Sequence, residues 1–355
     1  MGHASAAQIS PQETATVAEC GPEYGENGRA PNPEPPPKLV GIARLAAESP
    51  QVRERAEVEY FALPTRSALN RESSGRLPFA WTINPYRGCE FGCKYCYARY
   101  THEFMELRDG LDFERKIYAK LGAPDLLRRE IAEAKDKGLP IALGTATDPY
   151  QPAEKQFEVT RRMVEALAAF EGLDFSITTK SVLILRDLDL LRSIAERHRF
   201  SVHLSVTTTD GGLARLLEPK APPPSKRLEA ARALSDAGIR VGVNAMPVLP
   251  GLNDSPRALD DLARQAAAAR AHFFNARLLF LKPSAMSQFM PFLEREFPQL
   301  VRRYRKLYAR SAYLEGDYKE EIARLVAGLR ARYGLNDWQE PPARQVPQLG
   351  LPFGG

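Results

Sequence analysis

Residues 79–99 read FAWTINPYRGCEFGCKYCYAR: a short apolar run, FAWTI (79–83), followed by a loop in which thiols recur as Cys89-x3-Cys93-x2-Cys96 beside Gly88 and Gly92. The run has the length and composition of a buried strand. Downstream the same kind of run returns as PIALG (140–144), DFSITT (174–179), SVHLSVT (201–207), IRVGVNAM (239–246) and HFFNARLLFL (272–281). Between these runs lie segments of helical period: APDLLRREIAEAKDKG, AEKQFEVTRRMVEALAAF, LRDLDLLRSIAERH, SKRLEAARALSDAG and SPRALDDLARQAAAARA. Several close on a Gly, where a helix C-cap belongs. Strand-then-helix units joined by right-handed crossovers predict an α/β fold, one parallel sheet curled into a partial (β/α)6 TIM-like barrel over residues 79–285. Chemistry in such a fold belongs at the carboxyl ends of the strands, and the cysteine loop lies there.

The flanks read differently. Residues 1–45 are rich in Pro, Gly, Ala, Glu and Ser without apolar periodicity and are expected to be a disordered tail, with Cys20 an incidental thiol in it. Residues 46–78 form an N-terminal extension. Residues 286–336 turn helical and predict a C-terminal helical cap, and residues 337–355, QEPPARQVPQLGLPFGG preceded by Asp337-Trp338, an exposed Pro-rich tail. Within the cap, Arg302 to Arg310 interleaves basic and aromatic residues. Leu300, Tyr304 and Leu307 at helical spacing read as a core-facing stripe.

A chain of 355 residues with 44% apolar and 26% charged residues has the composition of a globular protein. A formal charge of +5 neither demands nor excludes a nucleic-acid partner. No apolar run reaches the length of a membrane span and the start carries no signal-like segment, so a cytoplasmic location is expected.

Of the four cysteines, three fall within eight residues, too close and uneven for a disulfide framework. Three thiolates satisfy three irons of a 4Fe-4S cluster and leave the fourth iron without a protein ligand. The glycines let the loop curl around the cube. The competing zinc site, with His102 as fourth ligand, lacks the usual second pair of ligands.

Cys-x3-Cys-x-aromatic-Cys, with Tyr95 as the aromatic, resembles the defining motif of the radical S-adenosylmethionine (SAM) superfamily. More narrowly, the phrases NPYRGCEFGCKYCYAR, TDPYQPAE, ITTKS, LSVTTTD, RLLEPKAPPPSKRLEA and PVLPGLND resemble the spore photoproduct lyase-like (DNA repair photolyase-like) group. The resemblance implies SAM as cofactor, an external reductant, and a 5′-deoxyadenosyl radical that abstracts a substrate hydrogen, with DNA as an expected substrate. RNA or a small metabolite is the alternative substrate, and a non-catalytic metal-bearing scaffold the alternative role.

The resemblance also suggests where SAM sits. Asp148, or the oxygens of Thr145 and Thr147, stand where the superfamily grips the methionyl ammonium; the alternative for Asp148 is a turn residue before Pro149. Lys180 is expected near the cofactor's carboxylate or ribose, and Ser205 near a ribose hydroxyl. Gly242 and Asn244 either seat the adenine or serve packing. Glu218-Pro219-Lys220 and Asn253-Asp254 lie in loops at the same face, where they touch substrate or cap helices, Asp254 or Ser255 being suited to an N-cap.

With no cysteine after Cys96, a second cluster is not expected, and the extra cysteine with which the spore lyase returns a hydrogen atom has no counterpart. Tyr97 is the candidate donor, a packed aromatic the alternative. Finally, Gln348-Leu349-Gly350-Leu351-Pro352-Phe353 resembles the peptides that dock bacterial repair proteins on the DNA sliding clamp, Gln348, Leu349, Leu351 and Phe353 being the contact residues.

Overall fold

The six apolar runs become the six parallel strands of one sheet, Trp81–Ile83, Ile141–Leu143, Asp174–Thr179, Arg199–Ser205, Val241–Val248 and Phe273–Leu278, neighbours in space in the order they have in the chain. This is the partial TIM-like barrel expected of them. The structure is a computed structural model that describes residues 39–72, 77–133 and 139–336.

Register decides which side chains share a face, because successive residues of a strand point to opposite sides. Ile177 pairs with Val202, Leu204 with Val243, and Val243 with Phe274; these side chains are fully buried. They join Met163, Leu167, Leu191, Ile194, Leu228, Leu234, Leu259 and Leu262 of the intervening helices in one core. Each such side chain contributes roughly 1.5–3 kcal/mol on burial. The opposite face carries Ser176 beside Ser201, Thr178 beside His203, and Ser205, Asn244 and Asn275 in one row. The inner wall of the barrel is thus lined largely by polar side chains.

The expected helices form as Ala123–Glu133, Leu188–Arg197, Pro224–Asp236 and Pro256–Ala268. The segment 153–170 breaks instead into Glu154–Phe157 and Val159–Ala168 at Glu158, whose φ is +48°. Its periodicity could not show the cause, which is Glu154. That buried carboxylate accepts hydrogen bonds from the Thr160 and Arg161 amides at 2.8 and 3.0 Å and so caps the second helix.

The N-terminal flank is more structured than its sequence suggests. Helix Gly41–Ala47 takes up the last residues of the stretch read as a tail, so that boundary lies no later than residue 41. Gln51–Arg55 and Val58–Ala62 form an antiparallel hairpin. Val58–Ala62 then pairs in parallel with Lys116–Ala119, which pairs antiparallel with Tyr86–Arg87. Leu69–Arg71 joins the barrel sheet antiparallel to its first strand, so that sheet has seven strands and begins before residue 79.

At the other end, helices Pro283–Glu296 and Val301–Leu307 pack over the cysteine loop, whereas Asp317–Tyr333 packs on the last strand and on helix Pro256–Ala268. The aromatic stripe behaves as expected: Tyr304 is fully buried, while Arg303 and Arg305 reach Asp254 and Glu294. Among the described residues no helix is long and apolar enough to cross a membrane. Cys20 and the clamp-like residues Gln348, Leu349, Leu351 and Phe353 lie outside the described residues.

Candidate active site

The cysteine loop leaves the first barrel strand and is clamped from three sides. From the second strand, Thr147 Oγ1 and Gln151 Nε2 donate to the Gly88 carbonyl at 2.6 and 3.1 Å, and Asn84 Oδ1 accepts the Ala146 amide at 2.7 Å. From the segment behind the loop, the Phe113 carbonyl accepts the Cys89 amide at 2.8 Å, and Arg99 donates to the Cys93 carbonyl and to Glu114 at 3.1 and 2.9 Å. From the fourth strand's loop, the Leu217 carbonyl accepts the Lys94 amide at 2.9 Å, and Phe91's carbonyl accepts that of Lys220 at 3.3 Å. Gly88, with φ +83°, is required: a Cβ there would lie 2.8 Å from the Lys116 carbonyl oxygen.

Cys89, Cys93 and Cys96 are all free and belong to one apolar cluster with Phe91, Tyr95 and Leu217. Burial raises the pKa of each thiol, that of Cys93 to about 12, where Lys180 pulls down and Glu218 pushes up. His102 is turned away: its Nε2 lies 3.0 Å from the Lys116 carbonyl oxygen and its ring packs against Phe113 and Tyr118. Among the described residues no three His, Cys, Asp or Glu side chains gather as ligands of one ion. With His102 engaged elsewhere, the loop offers three thiols and no imidazole, a donor chemistry that suits an iron-sulfur cluster rather than the zinc site.

A buried carboxylate organises the ground beside the loop. Glu218 lies at the end of helix Gly211–Leu217 and is 2% exposed. It accepts hydrogen bonds from the Tyr95 hydroxyl and, at 2.7 Å, from Thr207, and pairs with Arg227 at 2.5 Å. Lys180 Nζ stands 4.0 Å from it and 5.8 Å from the centre of the Tyr95 ring. Burial alone would raise the Glu218 pKa, but Arg227 and Lys180 outweigh it and lower it. Lys180 and Arg227 pull the Cys93 thiol toward thiolate, but burial and Glu218 outweigh them and its pKa stays raised.

The other expected site residues fall into two groups. Thr145, Thr147 and Asp148 lie in the loop after the second strand, but their polar groups hold the scaffold. Asp148 accepts from Thr179 at 2.6 Å, from the Lys180 amide at 2.7 Å and from the Tyr150 amide at 3.0 Å. Thr145 Oγ1 accepts from Asn84 at 3.1 Å, and its carbonyl accepts from the Tyr97 hydroxyl. Ser205 is buried at the end of the fourth strand, its carbonyl bound by Arg227 at 3.0 Å. Asn244 sits within 3.4 Å of both His203 and Asn275.

Gly242 takes the packing alternative: a Cβ there would fall 1.7 Å from the Phe273 ring, which His203 also contacts. Asn244 and Asn275 lie on the same face two residues further toward the strands' carboxyl ends, with Ser205 beside Asn244. Asn253 binds the Leu249 amide and the Thr207 and Pro247 carbonyls, and Ser255 caps helix Pro256–Ala268. At the mouth Tyr97 is 40% exposed, 6.1 Å from the Phe280 ring, which stacks on Tyr313 at 4.3 Å.

The Radical SAM superfamily profile matches residues 83–263, the barrel strands from Ile83 to the fifth and their helices. This chain belongs to the radical SAM superfamily. Membership implies SAM and a 4Fe-4S cluster. An uncharacterised protein of Mycobacterium tuberculosis is 41% identical over 299 residues, 84% of this chain and 88% of its own length. One of Methanocaldococcus jannaschii is 27% identical over 245 residues, 69% and 86% of the two chains. Among solved structures, a spore photoproduct lyase variant with bound AdoMet and dinucleoside spore photoproduct superposes with a TM-score of 0.58 over 76% of this chain and 78% of its own. Its 16% identity makes the likeness one of fold.

Proposed function

We propose that this chain is a radical SAM enzyme that opens or rearranges a lesion in DNA, in the manner of a photoproduct lyase. The observation that carries the reading is the buried three-thiol loop set beside the Lys180–Glu218–Arg227 group at the carboxyl ends of a barrel with a polar inner wall. Cys89, Cys93 and Cys96 would hold the cluster. When bound, it supplies the electron that splits SAM into methionine and a 5′-deoxyadenosyl radical.

The chain's own residues position and enclose. Tyr95, fixed by Glu218 and Thr207, braces the loop, and Lys180, held charged beside Cys93, offers an ammonium to a carboxylate or ribose oxygen. Ser205 and Asn244 face the lumen with polar groups suited to a ribose and a base. Asp148, its oxygens already engaged by three donors, holds the ends of the second and third strands in place. Tyr97, oriented by the Thr145 carbonyl at the mouth, is the chain's candidate to return a hydrogen atom to product.

The DNA reading draws on the lyase-like motifs and on the mouth itself. Tyr97, Phe280 and Tyr313 present partly exposed rings, and the Lys282 ammonium lies 5.7 Å from the centre of the Phe280 ring, a combination on which bases stack. The clamp-like peptide at Gln348–Phe353 would bring such an enzyme to replicating DNA.

The test is anaerobic: reconstituted protein, dithionite and SAM are incubated with ultraviolet-irradiated or untreated thymidine-deuterated DNA. The expected result is 5′-deoxyadenosine in both arms, with deuterium incorporated only with the irradiated DNA. Release of 5′-deoxyadenosine without deuterium from either DNA defeats the DNA reading, and absence of 5′-deoxyadenosine defeats the enzyme.

A further inference from the structure

Away from the cysteine thiols, a cleft of about 210 Å³ opens between helix Gly41–Ala47 and the turn that follows the N-terminal hairpin. It is lined by Ile42, Leu45, Arg66, Arg87 and Lys120 among others, and no Asp or Glu faces it. Thr65 and Ser67 donate to the Leu63 and Leu69 carbonyls, and the Asn70 amide donates to the Ala68 carbonyl. The donors left for a guest are therefore the three cations.

Those cations lack counter-charges. Lys120 is 7% exposed, yet its ammonium has neither a carboxylate nor a carbonyl partner among the described residues. Arg87 uses Nη1 on the Thr101 carbonyl at 3.3 Å and leaves its buried Nε without a partner. Arg66 stands exposed at the rim with no acid beside it. Burial and then Arg87 lower the Lys120 pKa to about 7. A buried ammonium and guanidinium that face one cleft repel one another and gain most from a shared polyanion.

We propose that the Arg66–Arg87–Lys120 cleft binds a phosphate group. Three cations and no acid match a phosphate better than a singly charged carboxylate, and a guanidinium with an ammonium supplies donors from several directions to its oxygens. No cysteine lines the cleft, although Arg87 stands at the root of the cysteine loop, and the assignment rests on the three cations rather than on the radical chemistry. The phosphate either belongs to a small phosphorylated compound or is a phosphodiester of a nucleic-acid strand.

Calorimetry on the cluster-loaded full chain, at constant ionic strength, separates these sources with inorganic phosphate as one probe and a thymidine oligonucleotide as the other. At least one probe should bind and should lose roughly tenfold or more in affinity in Lys120→Met, as expected for removal of a charged hydrogen-bonding partner. Arg66→Ala, at the exposed rim, should weaken the same probe by about threefold and keeps the test open if Lys120→Met fails to fold. A Lys120-dependent loss for inorganic phosphate marks a small phosphate compound, and one confined to the oligonucleotide marks a strand. The proposal is overturned if neither probe binds, or if both variants bind as tightly as the unaltered chain.

Discussion

At the barrel mouth, Arg227 and Lys180 face the carboxylate of Glu218; in the cleft under helix Gly41–Ala47, Arg87 and Lys120 face each other with no carboxylate at all. Both regions take cations out of water. In the first, the cations share a carboxylate inside the protein, and its partners come from different elements: Tyr95 from the cysteine loop, Lys180 and Thr207 just beyond the third and fourth strands, and Arg227 from helix Pro224–Asp236. Matching there fixes geometry. In the second, the mismatch is left standing, and a site that is unsatisfied by its own chain is one that a ligand can satisfy.

The largest test of that contrast is Glu218→Gln. It leaves Arg227, 1% exposed, without its counter-charge, and the expected cost is about 3–5 kcal/mol in urea unfolding, with poorer cluster loading seen in the visible absorption. A loss below about 1 kcal/mol would show that the pair is not what holds the loop. The double variant Glu218→Leu with Arg227→Met should recover part of the stability, since it removes the buried pair together and leaves only Lys180, 17% exposed, without its carboxylate, but not the loading, which needs Tyr95 fixed.

Buried imidazoles provide a second test, one in which the protein avoids charge altogether. Burial lowers the pKa of His102 and of His203 from the ordinary 6.5 to about 4. Between those values the unfolded chain takes up a proton and the folded chain does not. Stability is thus fully present above pH 6.5 and is lost as pH falls toward 4, by about 1–3 kcal/mol per histidine. His102→Phe should flatten that part of the curve of Tm against pH, and an unchanged slope would count against a neutral His102.

The smallest effect belongs to the unmatched cleft. Without phosphate, Lys120→Met should raise stability by about 1 kcal/mol at neutral pH, because it removes a buried charge that nothing offsets. In saturating phosphate the order should reverse, the unaltered chain gaining by mass action and the variant not. A variant less stable in both buffers would mean that Lys120 already has its partner.

What the sequence discloses follows from how locally each feature is encoded. The six strands and the cysteine loop are contiguous, and strands packed against helices on one face write themselves as apolar runs. The N-terminal hairpin does not: Gln51–Arg55 is exposed along its whole length, so QVRER carries no apolar pattern, and the hairpin's second strand, Val58–Ala62, finds its other neighbour far along the chain in Lys116–Ala119. The charge group at the mouth is spread over Tyr95, Lys180, Thr207, Glu218 and Arg227. Tyr95 and Lys180 could be singled out from their motifs, but the centre of the group, Glu218, read as only one of several loop residues, since no spacing rule joins positions so far apart. Arg87 and Lys120 gave no signal at all, because a cation shows its lack of a partner only once the fold is built. Gly242 shows the converse, where a choice between ligand seat and packing is settled by one ring, that of Phe273.

The strand Lys116–Ala119 lies between Val58–Ala62 on one side and Tyr86–Arg87, at the root of the cysteine loop, on the other. The profile match begins at residue 83, well inside this arrangement. An expression fragment trimmed to the profile-matched segment would keep the three loop thiols and lose the outer rail against which their loop is braced. For biochemists choosing where to start a shortened version, the safe cut lies before helix Gly41–Ala47, which packs on Leu63 and Tyr118, and not at the first barrel strand.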